Sequence, residues 1–334
     1  MKLTRLSALV LSLCLLFSVS AYAEPLLTTN SGVVLEASAL PYLTDSEEAP
    51  VVYYIADISP ESLSAAYAAL GVALPGRVGV KMSTGESTRS NYLRPALIGD
   101  LVQSLNATIV ECNTAYGGNR ASTARHRQQA KENGLLDIAE LDILDEEGSM
   151  ELPIEGGKVL SVDYVGTHFV NYDSYLVLSH FKGHAMAGFG GAIKNISIGF
   201  GSQKGKAWIH SGGTSTTNVW GGEQNAFLEA MADAAKGVND CMGDNIVYIS
   251  VLNRLSVDCD CDGSPSEPDM HDICILASTD PLAIDQAAID LIYAMPDSSS
   301  LVRRIESRNG LHVLEAGEQN GLGNRYYRLV VIGE

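Results

Sequence analysis

The sequence predicts an α/β fold: a mostly parallel sheet built from strand-helix-strand units, with helices on both faces. Three observations carry this. A strand-helix-strand pattern spans 51–82, a second unit of the same kind follows over 93–133, and no fixed-period repeat, low-complexity tract or linker interrupts the chain.

The elements follow in order. Residues 1–23 have the three-part layout of a secretory signal: Lys2 and Arg5, an apolar run from Leu6 to Val19, then Ala21-Tyr22-Ala23 before Glu24. The sequence therefore predicts an exported protein, periplasmic or secreted, cleaved after Ala23. The apolar run falls short of the roughly 20 residues of a membrane span, so no membrane association is expected after cleavage. Residues 24–49, with Pro25 and Pro41, read as an extended lead-in, and 50–334 as one α/β domain. Within it, 51–58 reads as a strand, 60–70 as a helix opened by Ser59 and Pro60, and 78–82 as a strand ending at Ser83-Thr84-Gly85-Glu86. A helix over 93–105, a strand over 107–112 and a helix over 122–133 come next. Further strands are expected at 158–162, 174–179, 246–252, 273–277 and 326–332, with helices at 224–235 and 281–294.

Charge narrows the function. Acidic residues outnumber basic ones 40 to 22, a net charge of −18, and loss of Lys2 and Arg5 with the signal makes the balance more negative still. Such a surface repels nucleic acid and anionic membranes. Five cysteines remain after cleavage, Cys112, Cys241, Cys259, Cys261 and Cys274, an odd number in an oxidising compartment.

The chemistry concentrates in two segments. An apolar strand delivers His180, Lys182 and His184 at its end, and Gly188, Gly190 and Gly191 then lead to Lys194 and Asn195. Open α/β sheets place ligands at such strand ends, glycines let backbone amides approach an anion, and a lysine just beyond neutralises it. His180 and His184 are spaced to converge as ligands or acid-base groups. The second segment is Asp258-Cys259-Asp260-Cys261-Asp262, whose thiolates and carboxylates suit a borderline-soft divalent metal. The competing reading is an oxidised pair joining Cys241, Cys259 or Cys261 to Cys274, since Cys259 and Cys261 are badly placed to bridge each other. Asn113 and Thr114 close another strand and suit a polar ligand, while Asp285 sits in the first turns of a helix that Asp280-Pro281 opens.

Six blocks taken together resemble a known family. STGES at 83–87, ECNTAYGGNR at 111–120, DYVGTHFVNYD at 163–173, SHFKGHAMAGFGGAIKNISIG at 179–199, VDCDCDG at 257–263 and ILASTDPLAIDQAAIDLI at 275–292 are similar, in this order, to the domain of unknown function family 362, often labelled iron-sulfur-centre proteins. That label implies clusters held by a cysteine-rich insert. This chain has no cysteine between His210 and Cys241, so the resemblance does not extend to an iron-sulfur cluster. GGAIKN also resembles, over a few residues, the glycine-lysine segment of nickel-pincer lactate racemase relatives. The expectation is a protein that binds a metal or metal-containing cofactor and an anionic small molecule, with proton-transfer or redox chemistry. In that reading His180, His184 and Lys194 are catalytic, Lys182, the glycines, Asn195, Asn113 and Thr114 bind the cofactor, and Cys259, Cys261, Asp258 and Asp260 hold the metal. The alternative is a non-catalytic binding protein stapled by disulfides.

Overall fold

A computed structural model describes residues 26–333, so the predicted signal segment and Cys14 lie outside the described residues. The chain runs β1 (Leu26–Thr28), β2 (Val34–Glu36), β3 (Val51–Ile55), α1 (Pro60–Ala69), β4 (Val78–Lys81), α2 (Pro95–Ser104), β5 (Thr108–Glu111), α3 (Thr123–Glu132) and β6 (Leu141–Ile143). It continues with β7 (Ser149–Pro153), β8 (Val162–Gly166), β9 (Ser174–His180), β10 (Lys182–His184), β11 (Gly188–Gly190), α4 (Ala192–Ile196), α5 (Gln203–His210) and α6 (Gln224–Met242). Strand β12 (Ile246–Leu252), β13 (Cys274–Ser278), α7 (Pro281–Ala294), α8 (Ser299–Ser307), α9 (His312–Asn320) and β14 (Arg328–Val331) complete it.

Eight strands form one sheet in the order β14-β3-β13-β12-β9-β4-β5-β6. All neighbours are parallel except around β13, which runs antiparallel to both β3 and β12. Both long central strands, β9 and β12, are buried at every residue, as strands covered on two faces must be. Helices α1, α2 and α3 cover one face, with Leu63, Ile98, Leu101 and Ala130 in its core. Helices α4, α6, α7 and α9 cover the other through residues such as Ile193, Leu228, Ile284 and Val313. The lead-in packs on this second core, where Leu27, Leu35 and Leu40 are buried. Among the described residues no helix is long and apolar enough to cross a membrane.

Local chemistry sets the element ends. Ser59 caps α1 by accepting from the Ser62 N–H at 3.1 Å, with Pro60 pre-set at the first helical position. Asp280 does the same for α7, accepting from Leu282 and Ala283. The expected strand over 158–162 forms instead at Val162–Gly166, outside the main sheet and paired with β7. Buried Asp233 on α6 explains the shift, because it accepts the N–H groups of Val159 and Leu160 and holds them as a loop. The helix expected over 224–235 runs on to Met242 and stops at Gly243, whose φ of +52° suits glycine.

The direction of chain travel reverses between β4 and β9. From β4 the chain passes through α2 to β5 on one face, while from β9 it passes through α4–α6 to β12 on the other. A crevice therefore opens beyond the carboxyl ends of β4 and β9, where open α/β sheets bind ligands.

The loop after β12 folds over that crevice. Gly183 donates to Ser256 O at 2.8 Å, Glu86 N–H to Asp260 O at 2.9 Å, and Ser90 Oγ to Asp262 O at 2.6 Å. A Cβ at Gly183 would overlap the Val257 carbonyl. Gly183→Ala is expected to destabilise the protein by roughly 1–3 kcal/mol through overpacking, measured as a lower urea midpoint with unchanged m-value.

Candidate functional site

The crevice ends in a cavity of about 60 Å³, room for a few waters or a small polyatomic anion. Its wall comes from separate elements: Lys81 at the end of β4 and Ser83 beyond it, Glu111 at the end of β5 and Thr114 beyond it, and His180 at the end of β9 with Lys182 beyond it. Gly190, Gly191, Lys194 and Asn195 add the α4 side, Lys206 comes from α5, and Cys259 and Cys261 from the loop after β12.

Five cations line it in a strongly acidic chain, and they fall into two groups. Arg120 and Lys182 are paired. Arg120 binds Glu86 at 3.0 Å and Glu111 at 2.8 Å, and Lys182 binds Asp260 at 2.9 Å. Lys81, Lys194 and Lys206 have no carboxylate within ion-pair distance among the described residues. Lys206 donates to Gly201 O at 2.6 Å, and Lys81 to Asn195 Oδ1 at 2.8 Å and Met82 O at 3.2 Å. Burial pushes Lys81 down to about 7 against the pull of Glu111. Glu111 itself is saturated by Thr84, His126 and Arg120. Its burial would raise its pKa, yet the Arg120, His126 and Lys81 partners hold it well below the usual carboxylate range.

Asp260 is wholly buried and joins two of the motifs. One oxygen meets His180 Nδ1 at 2.8 Å and the other the Lys182 ammonium. Burial would raise its pKa, but the facing His180 and Lys182 charges outweigh that and hold it far below the ordinary value. The other nitrogen of His180, Nε2, donates to Asn253 O at 2.7 Å. Both ring nitrogens of His180 thus have partners within the protein, the Asp260 carboxylate and the Asn253 carbonyl. Its place is to hold the β9 end against the following loop.

His184, Cys259 and Cys261 form a group that could hold a metal ion, their ligand atoms lying within 4.8 Å of one another. Cys259 Sγ accepts from the Cys261 backbone N–H at 3.4 Å. A separate hydrogen bond between the two thiol side chains, with Lys194 and Lys182 nearby, lowers the Cys259 pKa despite burial, and the same thiol–thiol bond raises that of Cys261. The shifts favour ionisation at Cys259 over Cys261. His184 Nδ1 accepts from Met186 and Ala187 N–H at 3.2 and 2.9 Å, which places the proton of the neutral ring on Nε2. Burial, with Lys194, His210 and Lys182 nearby, holds His184 well below the usual imidazole range.

The other expected site residues divide as follows. Asp258 turns away to Ser266 and Arg304, and Asp260 is committed to His180 and Lys182, so neither carboxylate joins the thiols as a ligand. Asn113 serves Thr123 and His126 outside the cavity wall, whereas Thr114 lines it. The glycine strand pairs with Lys182–His184, Gly190 and Gly191 line the cavity, and Gly188 does not. Asp285, behind the loop, takes the N–H groups of Ala192 and Ile193 at 2.7 and 2.9 Å, so the first amides of α4 are occupied. Asn195 locks the two strand ends together, donating to Lys81 O, Leu178 O and Ser179 Oγ. Sequence reasoning missed Lys81 and Lys206. A lysine closing the otherwise apolar run VGVKM was the available signal for the first.

With this geometry in hand, the match to family models is decisive: the model described as domain of unknown function (DUF362) covers residues 78–290, well over half of the chain. The chain belongs to the DUF362 family. The matched span of this DUF362 protein holds every residue of the cavity wall. Among solved structures it is similar to the lactate racemase apoprotein from Thermoanaerobacterium thermosaccharolyticum, at 14% identity over 72% of this chain and 56% of that one, with a TM-score of 0.41. It is similar also to a Thermotoga maritima protein, at 11% identity over 78% and 58% of the two chains, with a TM-score of 0.39. In both cases it spans less than two thirds of the other chain. No curated protein matches the sequence.

An iron-sulfur cluster does not fit this DUF362 site. Clusters of the common kinds need four thiolates, and only Cys259 and Cys261 line the cavity. All five cysteines of the described residues are free thiols. Cys112 donates to Phe200 O in the core, Cys274 is buried on β13, and burial raises the pKa of both.

Asp260→Asn should cost roughly 3–5 kcal/mol, because it leaves Lys182 and His180 buried without a counter-charge. The depressed pKa of Asp260 means its stabilisation is full above its unfolded value of about 4 and is lost as pH falls below it. Urea unfolding across pH should therefore show the difference between wild type and variant shrinking in acid. Iodoacetamide should modify Cys259 well below the pH at which an ordinary thiol reacts, with Cys261 lagging, as followed by peptide mass mapping.

Proposed function

We propose that this protein binds a small anionic molecule in the cavity beside a borderline-soft divalent metal, and that it transfers a proton next to the anionic group or assists a redox step there. We further propose that it works after export, as its N-terminal sequence suggests. The observation that carries the reading is the meeting of three lysines lacking carboxylate partners with Cys259 and Cys261 in one cavity, the two thiols also grouping with His184.

Two thiols and an imidazole suit zinc or a similar ion. Cys259 and Cys261 would be the principal ligands, and His184 the third once its Nδ1 bonds or its Nε2 proton yield. When bound, the metal would supply a Lewis acid that polarises a carbonyl or carboxylate oxygen. The chain's own residues supply the remaining functions. Lys194, half-buried and without a hydrogen-bond partner among the described residues, is aimed at the anion with Lys206. His184, kept neutral, offers a proton at Nε2 when no metal takes that position.

The test combines metal analysis with thiol titration. Zinc or cobalt should bind near one equivalent, mask Cys259 and Cys261 from thiol reagents and release protons, so that affinity falls with falling pH. Full thiol reactivity in the presence of excess metal would overturn the metal half. Lys194→Ala should weaken binding of a small carboxylate or phosphate by roughly ten- to a hundred-fold, read by calorimetry. If His184→Ala lowers turnover of a candidate substrate, the protein is an enzyme; if it alters affinity alone, the protein is a binder.

A further inference from the structure

We propose that Lys81 is an amine nucleophile that forms an imine with a small 2-oxo acid or a carboxylated aldehyde, its carboxylate held by Lys194 and Lys206. The inference rests on the anion half of the proposed function and is independent of the metal.

Hydrogen bonding around Nζ carries the argument. Lys81 closes β4 at the crevice, is 1% exposed, and lines the cavity. It has two acceptors, Asn195 Oδ1 and Met82 O, and both are neutral. A neutral amine has two N–H groups and one lone pair. These two acceptors use both N–H groups and leave the lone pair, whereas an ammonium would keep a third N–H without an acceptor among the described residues. The orientation of Asn195 is fixed independently, because its Nδ2 donates to Lys81 O, Leu178 O and Ser179 Oγ, which turns Oδ1 to the amine. Gly199 provides the room, since a Cβ there would come 2.6 Å from Nζ.

The surroundings agree. Burial lowers the Lys81 pKa to about 7; Lys206 and Arg120 push the same way, while Glu111 and Cys112 oppose them. Arg120 is already bound to Glu86 and Glu111, so Glu111 is a shared and partly neutralised counter-charge. At pH 7 an exposed lysine is neutral in roughly one molecule in a few thousand. Lys81 is thus set apart from the surface lysines by both geometry and protonation.

The step is balanced without an oxidant. The Nζ lone pair attacks the carbonyl carbon, the π pair moves to oxygen, and proton transfer from nitrogen to oxygen gives a carbinolamine. Loss of that hydroxyl as water gives the imine, so amine plus carbonyl yields imine plus water. The imine then withdraws electrons from the carbon on its far side from the carboxylate, as in the methyl group of pyruvate, which favours removal of a proton there.

The full mature protein is incubated with glyoxylate or pyruvate and cyanoborohydride, and the reduced adducts are located by peptide mass mapping. Glyoxylate should leave one carboxymethyl group on Lys81, at least about a hundred-fold faster at pH 7 than on any exposed lysine. Labelling should slow as pH falls below 7, and inorganic phosphate should protect. Label spread over surface lysines with Lys81 unmodified, while calorimetry shows glyoxylate binding, would overturn the imine and leave the anion site standing. Equal labelling of Lys81 by neutral propanal, with no binding of glyoxylate or phosphate, would keep the nucleophile but remove the anion site and the acid substrate class. No adduct and no binding would remove both. Because the map is read on the unaltered protein, misfolding of a variant cannot mask the result.

Discussion

The buried carboxylate of Asp260 is the constraint on which the site depends. A wholly buried anion is tolerable only when opposite charges and hydrogen bonds surround it, and here His180 and Lys182 supply both. These partners lie at the end of β9 and the start of β10, whereas Asp260 belongs to the loop after β12. The ion triad therefore ties that loop to the central strand, and the flanking cysteines are fixed by the same bond. Its cost explains why the neighbouring contacts are so complete, with Gly183, Glu86 and Ser90 all bound to backbone carbonyls of the loop.

That triad also sorts the cations. Lys182 and Arg120, though they line the cavity, are already neutralised by carboxylates and act as framework. Lys194, Lys206 and Lys81 have no carboxylate partner among the described residues and are the cations left for the proposed anion. Asn195 adds the mechanical link, since its one side chain binds the ends of both β4 and β9 and sets the Lys81 amine between them. The place where the strand order reverses is thus also where the unpaired amines converge.

Much of the fold was legible in the sequence because it was written in local signals. Ser59-Pro60 and Asp280-Pro281 announce helix starts through capping chemistry, and the apolar runs ending at His180 and Leu252 announce buried strands. The strand expected near 158–162 failed because a residue more than seventy positions away, Asp233, claims its amides. The site followed the same division. Cys259, Cys261, His184 and Lys194 stand out by type and spacing and do meet. The separate work of His180, Asp258 and Asp260 could not be read, because which partner each finds is a property of the folded loop. Likewise the glycine loop looked like an anion cradle, but Asp285 fills the helix start it leads to.

The charge of the whole molecule opposes the charge of the cavity. A net charge of −18 repels an approaching anion, and this field acts over the Debye length of about 8 Å at physiological salt. The cavity lysines are largely buried, where screening is weaker and each interaction stronger. Approach and retention therefore respond to salt in opposite proportion: added salt relieves the surface repulsion and hardly touches the buried contacts. An anion that binds here is selected at short range, by whether its charged group reaches Lys194 and Lys206 while the rest of it fits against Lys81 and the thiols. A small, compact acid satisfies that condition, whereas a polyanion with charge spread along its length would be repelled everywhere outside the cavity.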